Sequence, residues 1–82
     1  MSNEELKRKQ NLGKYLMARR KKSKLKYKDV CKALNISEVC LYYYENGMRS
    51  IDLETLLRFA VLYKVRARTL LRQYVGITNK DY

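Results

Sequence analysis

Leu34-Asn35-Ile36-Ser37-Glu38-Val39-Cys40-Leu41-Tyr42-Tyr43-Tyr44-Glu45-Asn46-Gly47 holds a turn, a cap, a short helix and a stop within fourteen residues, and its reading decides the fold. Asn35 tolerates left-handed backbone, so the chain can turn sharply there. Ser37 reads as an N-cap whose hydroxyl accepts from the Cys40 amide. Ile36 before the cap and Leu41 behind it form a hydrophobic staple. Gly47 is free to take the positive φ of a helix C-cap. A short helix over about 38–46 is therefore expected, entered through a tight corner.

Outward from this stretch the periodicity is helical and never alternating. A preceding helix from about Tyr27 to Leu34 buries Val30, Cys31 and Leu34. A first helix runs from about Glu4 to Lys22, with Leu12 and Leu16 on one face, and Ser23-Lys24 ends it weakly. Asp52 caps a fourth helix whose apolar positions are Leu53, Leu56, Leu57, Ala60 and Tyr63, and a fifth from about Ala67 to Tyr74 carries Leu70 and Leu71. With no Pro and three Gly, the stops fall to Gly, Asn, Ser and Asp. The expectation is an all-α protein, a compact five-helix bundle. Residues 1–11 form a basic extension or the start of helix 1, 12–75 the domain, and 76–82 a C-terminal tail.

The 82 residues suffice for one folded core and carry a net charge of +11. A hydrophobic content of 46% places that charge on a globular body rather than a disordered chain. Residues 1–32 hold a net +9, residues 33–57 a net −3 and residues 58–82 a net +5. A basic front beside a near-neutral middle suits a polyanion lying along one side of the molecule, and nucleic acid is the expected partner. A solvated basic surface is the plain alternative. An anionic membrane fits less well, because no helix pairs a basic face with a continuous apolar one. No apolar run approaches the roughly 18 residues that cross a bilayer. The start, Met1-Ser2-Asn3-Glu4-Glu5, has no apolar stretch behind its charges, so a cytoplasmic protein is expected.

Catalysis finds little to work with. There is no His, and no Ser/His, Cys/His or paired-carboxylate constellation can be assembled, so an enzyme is not expected. Cys31 and Cys40, nine residues apart, match no zinc spacing. They read as small apolar side chains, with a redox switch across the corner as the lesser alternative. Neither a metal, a cofactor nor a small-molecule ligand is expected.

Two short helices meeting at Asn35-Ile36-Ser37-Glu38 have the connection length of a helix-turn-helix. From Leu12 to Leu71 the sequence resembles the phage-repressor and Cro-like helix-turn-helix family, the Xre type, whose members have a lambda-repressor-like DNA-binding domain. The resemblance lies in Leu12-Gly13 with Leu16 and Arg20, in Leu34-Asn35-Ile36-Ser37, in Tyr44-Glu45-Asn46-Gly47-Met48-Arg49, and in Leu53-Glu54-Thr55-Leu56-Leu57-Arg58-Phe59-Ala60. Some positions depart from the pattern. Lys26 and Tyr27 replace the family's Ser or Thr cap and its phosphate-gripping Gln, Lys24 replaces a glycine, Ile51 a proline, and Arg19 an apolar residue of helix 1.

The resemblance implies a regulator of transcription, a repressor by preference, that puts its third helix into the major groove, N-terminal residues foremost. Leu41 and Tyr44 then point inward. Glu38, Val39 and Tyr43 are the expected base contacts: Val39 on a thymine methyl, Tyr43 on a base edge, Glu38 accepting from cytosine N4. Glu38 serves equally well as a favourable charge at the helix N-terminus. Lys26, Tyr27, Lys28, Ser37, Tyr42 and Arg49 are the expected phosphate contacts. Exposed Tyr42 and Tyr43 also admit stacking on single-stranded nucleic acid, for which a helical bundle offers no obvious platform. A structural ion pair between Arg20 and Glu45 is implied as well.

The expected partner is double-stranded DNA with a palindromic operator, bound by a homodimer. Leu70, Leu71, Tyr74, Val75 and Ile77 cannot all bury in so small a core, so they are the expected dimer interface, with Val61 and Leu62 adding apolar surface. The competing function is a protein-interaction module, such as an antitoxin or antirepressor subunit, whose basic surface meets an acidic partner.

Overall fold

Every helix is entered from extended backbone and four of the five leave through a left-handed residue, so the caps set the topology. The computed structural model describes residues 2–76. Within them the chain is all-α, with α1 over Asn3–Ser23, α2 over Tyr27–Leu34, α3 over Glu38–Glu45, α4 over Leu53–Tyr63 and α5 over Ala67–Val75. Ile77, expected at an interface, and most of the expected tail lie outside the described residues. No described helix is long and apolar enough to cross a membrane.

Ser2 starts α1 by accepting from the Glu5 amide, and acidic Glu4 and Glu5 in the first turn suit the positive end of the helix dipole. Lys24 stops α1 at φ 61°, with its N–H donating to the Lys21 carbonyl. A lysine therefore occupies left-handed backbone where glycine is unstrained. Lys64 does the same after α4 at φ 56°. Asp52 stands at the N-cap of α4 but makes no capping hydrogen bond with its side chain.

The core is built from all five helices: Leu12 and Leu16, Val30, Cys31 and Leu34, Leu41 and Tyr44, Leu56, Phe59, Ala60 and Tyr63, and Leu70. Phe59 sits at its centre, fully buried, between the rings of Tyr44 (6.1 Å, edge-on) and Tyr63 (5.8 Å). Aromatic pairs at these separations add to the burial of their area. Burial pushes the Tyr44 phenol up to about 12, with the Cys40 side chain adding to it. Burial, and then the negative charge of Glu45, raises Tyr63 further.

The burial of α4 and α5 departs from expectation in three places. Leu53 and Leu57, read with Leu56, Ala60 and Tyr63 as the apolar positions of the fourth helix, are 69% and 46% exposed, because the buried stripe of α4 runs through Leu56, Phe59, Ala60 and Tyr63. Leu70, expected at a dimer interface, is fully buried in the core and offers nothing to a partner. Leu71 and Val75 are half-exposed, and Tyr74 packs partly on the core.

Arg19 occupies a position where the resemblance implies an apolar residue. Its guanidinium donates to the Tyr63 carbonyl at 3.2 Å, which ties α1 to the end of α4. Its Nε and the Tyr63 hydroxyl are buried with no hydrogen-bond partner among the described residues.

Candidate nucleic-acid interface

Local sequence chemistry sets the corner between α2 and α3. Asn35 turns at φ 55°, its N–H returning to the Lys32 carbonyl at 3.2 Å, and the Ile36 N–H returns to Cys31 at 3.0 Å. Ile36 packs against the core, and the Ser37 hydroxyl accepts from the Cys40 amide at 3.0 Å, opening α3. Asn46 closes α3 by donating from its side chain to the Tyr42 carbonyl at 2.9 Å, and Gly47 then takes φ 69°.

α3 is held from three sides. Leu41 and Tyr44 enter the core, and Glu45 is buried at the foot of the helix. Arg20 of α1 meets Glu45 through two parallel bonds, Nε to Oε2 at 2.8 Å and an amino group to Oε1 at 3.0 Å. Such a fork fixes orientation as well as charge. The Glu45 bond raises the pKa of the Arg20 guanidinium against the opposing effect of burial. The same guanidinium lies 4.9 Å from the centre of the Tyr27 ring. The Tyr27 hydroxyl in turn donates to the main-chain carbonyl of Glu38 at 3.1 Å, so α1, α2 and α3 are joined in one relay.

That relay gives Tyr27 a part in the fold as well as its expected place at a phosphate. Its hydroxyl proton is directed at the Glu38 carbonyl here. Tyr27 thereby helps to hold the start of α3. Ser37 differs: its oxygen accepts from Cys40, while its own proton remains available for a phosphate.

Away from the core, α3 presents Glu38, Val39 and Tyr42 as an exposed row, Val39 and Tyr42 each with more than half their surface in solvent. Tyr43 is half-buried. Arg49 folds back from the following loop so that its guanidinium lies 5.1 Å from the centre of the Tyr43 ring and 3.5 Å from the Cys40 sulfur. Tyr43 and Arg49 therefore act as a unit at the edge of the row, with the Tyr42 ring 6.1 Å from Tyr43. Cys31 is buried and Cys40 half-buried, both as free thiols.

Lys26 and Lys28 are exposed at the start of α2, and Lys26 occupies the N-cap without a side-chain bond to it. A shallow groove across the corner is lined by Lys28, Cys31, Lys32, Asn35, Ile36, Ser37 and Glu38. Lys32 was not among the expected contacts. It stands one helical turn after Lys28, and that i, i+4 spacing was the signal available in the sequence.

The described residues contain no group of three or more His, Cys, Asp or Glu side chains placed to hold a metal ion. A family model described as a helix-turn-helix domain fits residues 11–74, from within α1 to within α5. No curated protein matches the chain.

Proposed function

The chain belongs to the helix-turn-helix domain family, and from that premise we propose that it is a sequence-specific regulator of transcription, a repressor of the phage-repressor and Cro-like, Xre type. Domains of this family are ordinarily DNA-binding modules without catalytic activity. In the proposed complex α3 enters the major groove of double-stranded DNA in the cytoplasm, and a homodimer reads a palindromic operator.

One observation carries this reading: the row Glu38, Val39 and Tyr42 projects from a helix whose opposite face is locked by Leu41, Tyr44 and the Arg20–Glu45 fork, and its side chains have no part in the core. A groove wide enough for one α-helix is read by Glu38 and Val39 of such a row, with Tyr43 at its edge. Lys26, Lys28 and Lys32 beside it, with Ser37, Tyr42 and Arg49, supply charge and donors for phosphates on both sides.

Selection from a randomised duplex pool, followed by titration of the selected and a scrambled site, tests the proposal. Val39→Ala, or Tyr43→Phe, which keeps the ring under Arg49, should weaken the selected site by about 1–3 kcal/mol and leave the scrambled one nearly unchanged. Lys28→Ala should weaken both alike. A pool that enriches nothing, or Val39→Ala and Lys28→Ala acting identically, would reject the assignment of α3 as the reading helix.

A further inference from the structure

The exposed side of α4 carries an apolar row that the fold does not use. Leu53, Leu57 and Val61 follow one another at i, i+4 and i+8, and Val61 is 78% exposed, the highest of the large apolar side chains among the described residues. Next to that row lies a shallow groove lined by Ala33 of α2 with Glu54, Leu57, Arg58, Val61 and Leu62. A ridge at four-residue spacing with a groove beside its Leu57 and Val61 end is a geometry in which two identical helices can interdigitate.

From this we infer that α4 is the face through which two copies of the chain pair, the Leu53–Leu57–Val61 ridge of each lying in the groove beside the ridge of the other about a two-fold axis near Leu57. The inference deepens the proposed operator-binding homodimer and rests on it.

Charge decides the occupant. Two chains of +11 repel, so they meet most easily where positive charge is least. From Asp52 to Tyr63 the only ionisable groups that carry charge at neutral pH are Asp52, Glu54 and Arg58. Glu54 and Arg58 lie one turn apart in the row flanking the ridge, both exposed, 3.0 Å from each other within one chain. Reversed by a two-fold, that row brings Glu54 of each copy towards Arg58 of the other, so the patch is complementary to itself, as a two-fold interface requires. α5, the face expected from the sequence, loses Leu70 to the core and has Arg66 at its N-cap and Arg68 and Arg72 along it as its charged side chains. A ridge of this size covers roughly 400–600 Å² per copy, at the weak end of specific interfaces, so pairing is completed on the operator, where two half-sites hold two copies together.

Sedimentation equilibrium on the full chain, up to about 1 mM, tests the pairing. The wild type should associate reversibly into dimers, and Leu57→Glu and Val61→Glu, at exposed positions that leave the helical circular dichroism unchanged, should weaken association at least about tenfold. Glu54→Arg alone and Arg58→Glu alone should each reduce association, and an equimolar mixture of the two should restore it as a mixed dimer. A wild type that stays monomeric throughout, a Leu57→Glu variant that dimerises as well as wild type, or a swap mixture that stays monomeric would each overturn the assignment to α4. A dimer abolished by Leu71→Glu and untouched by Leu57→Glu would place it on α5 instead. The DNA reading is scored separately: Leu57→Glu should still bind a single half-site duplex as tightly as wild type, whereas a chain that dimerises through α4 and binds no duplex refutes the DNA reading alone.

Discussion

At Gly13, α1 passes close against the end of α3. A methyl group placed there would come within 2.6 Å of the carbonyl oxygens of both Tyr44 and Glu45. These are main-chain atoms at the end of α3, so neither can rotate away. Gly13→Ala must push α1 and α3 apart, and it should cost about 1–3 kcal/mol, measured by urea denaturation, with the Arg20–Glu45 fork weakened as well. Lys24 is the opposite case. Its left-handed backbone strains a lysine and would not strain a glycine. Lys24→Gly should therefore stabilise the fold by about 0.5–1 kcal/mol, the relief of strain exceeding the extra freedom glycine gives the unfolded chain. A lower thermal midpoint for this variant would contradict that account.

Among the elements, α4 shows best what buried groups do to stability. Its Phe59 and Tyr63, with Tyr44 of α3, form a continuous aromatic core in which both phenols are held neutral by burial. A phenol whose pKa is raised in the fold stabilises it fully below the unfolded value near 10. That stability is then lost as pH rises, through about 12 for Tyr44. Stability in urea should accordingly fall by about 1–3 kcal/mol between about pH 9 and pH 12. Tyr44→Phe should flatten the decline, and a wild type with level stability over that range would disprove it.

The caps and the corner were legible in the sequence because their signals are local. Asn35, Ser37 and Gly47 state backbone geometry within three or four residues, and α2 and α3 follow from them. The outward row of α3 was legible for the same reason, since helical phase alone separates Val39 from Leu41. Tyr27 was not, because its partner is a carbonyl eleven residues away, and only the packed corner brings the two together. Leu53 and Leu57 misled because apolar residues covered two adjacent stripes of α4. Which stripe turns inward depends on Phe59 meeting Tyr44 and Tyr63, a tertiary fact. Arg49 lay between the two cases: its charge was visible, its fold-back onto Tyr43 and Cys40 was not.

At the scale of the whole molecule, charge should govern the affinity of the proposed complex. A homodimer that neutralises about six to ten phosphates should show log K falling with log[salt] at a slope of about −5 to −9. Lys28→Ala should flatten the slope, since each copy gives up one phosphate contact, and Val39→Ala should leave it unchanged. Fluorescence anisotropy across a salt series checks both, and a slope shallower than about −2 would leave too few phosphate contacts for the proposed complex.

Tyr27 grips α3 by the main-chain carbonyl of Glu38 and makes no bond to its side chain. Every residue type has that carbonyl, so position 38 can mutate without loosening the anchor. Val39 and Tyr42 are similarly unencumbered on the side facing solvent. Selection on the fold and selection on the target site therefore act on different atoms of the same eight-residue helix. In the proposed complex the preferred operator can change by substitutions at 38 and 39 while Leu41, Tyr44 and Glu45 go on holding the helix. On that proposal, chains diverging from one another would come to read separate operators without first having to regain a stable structure.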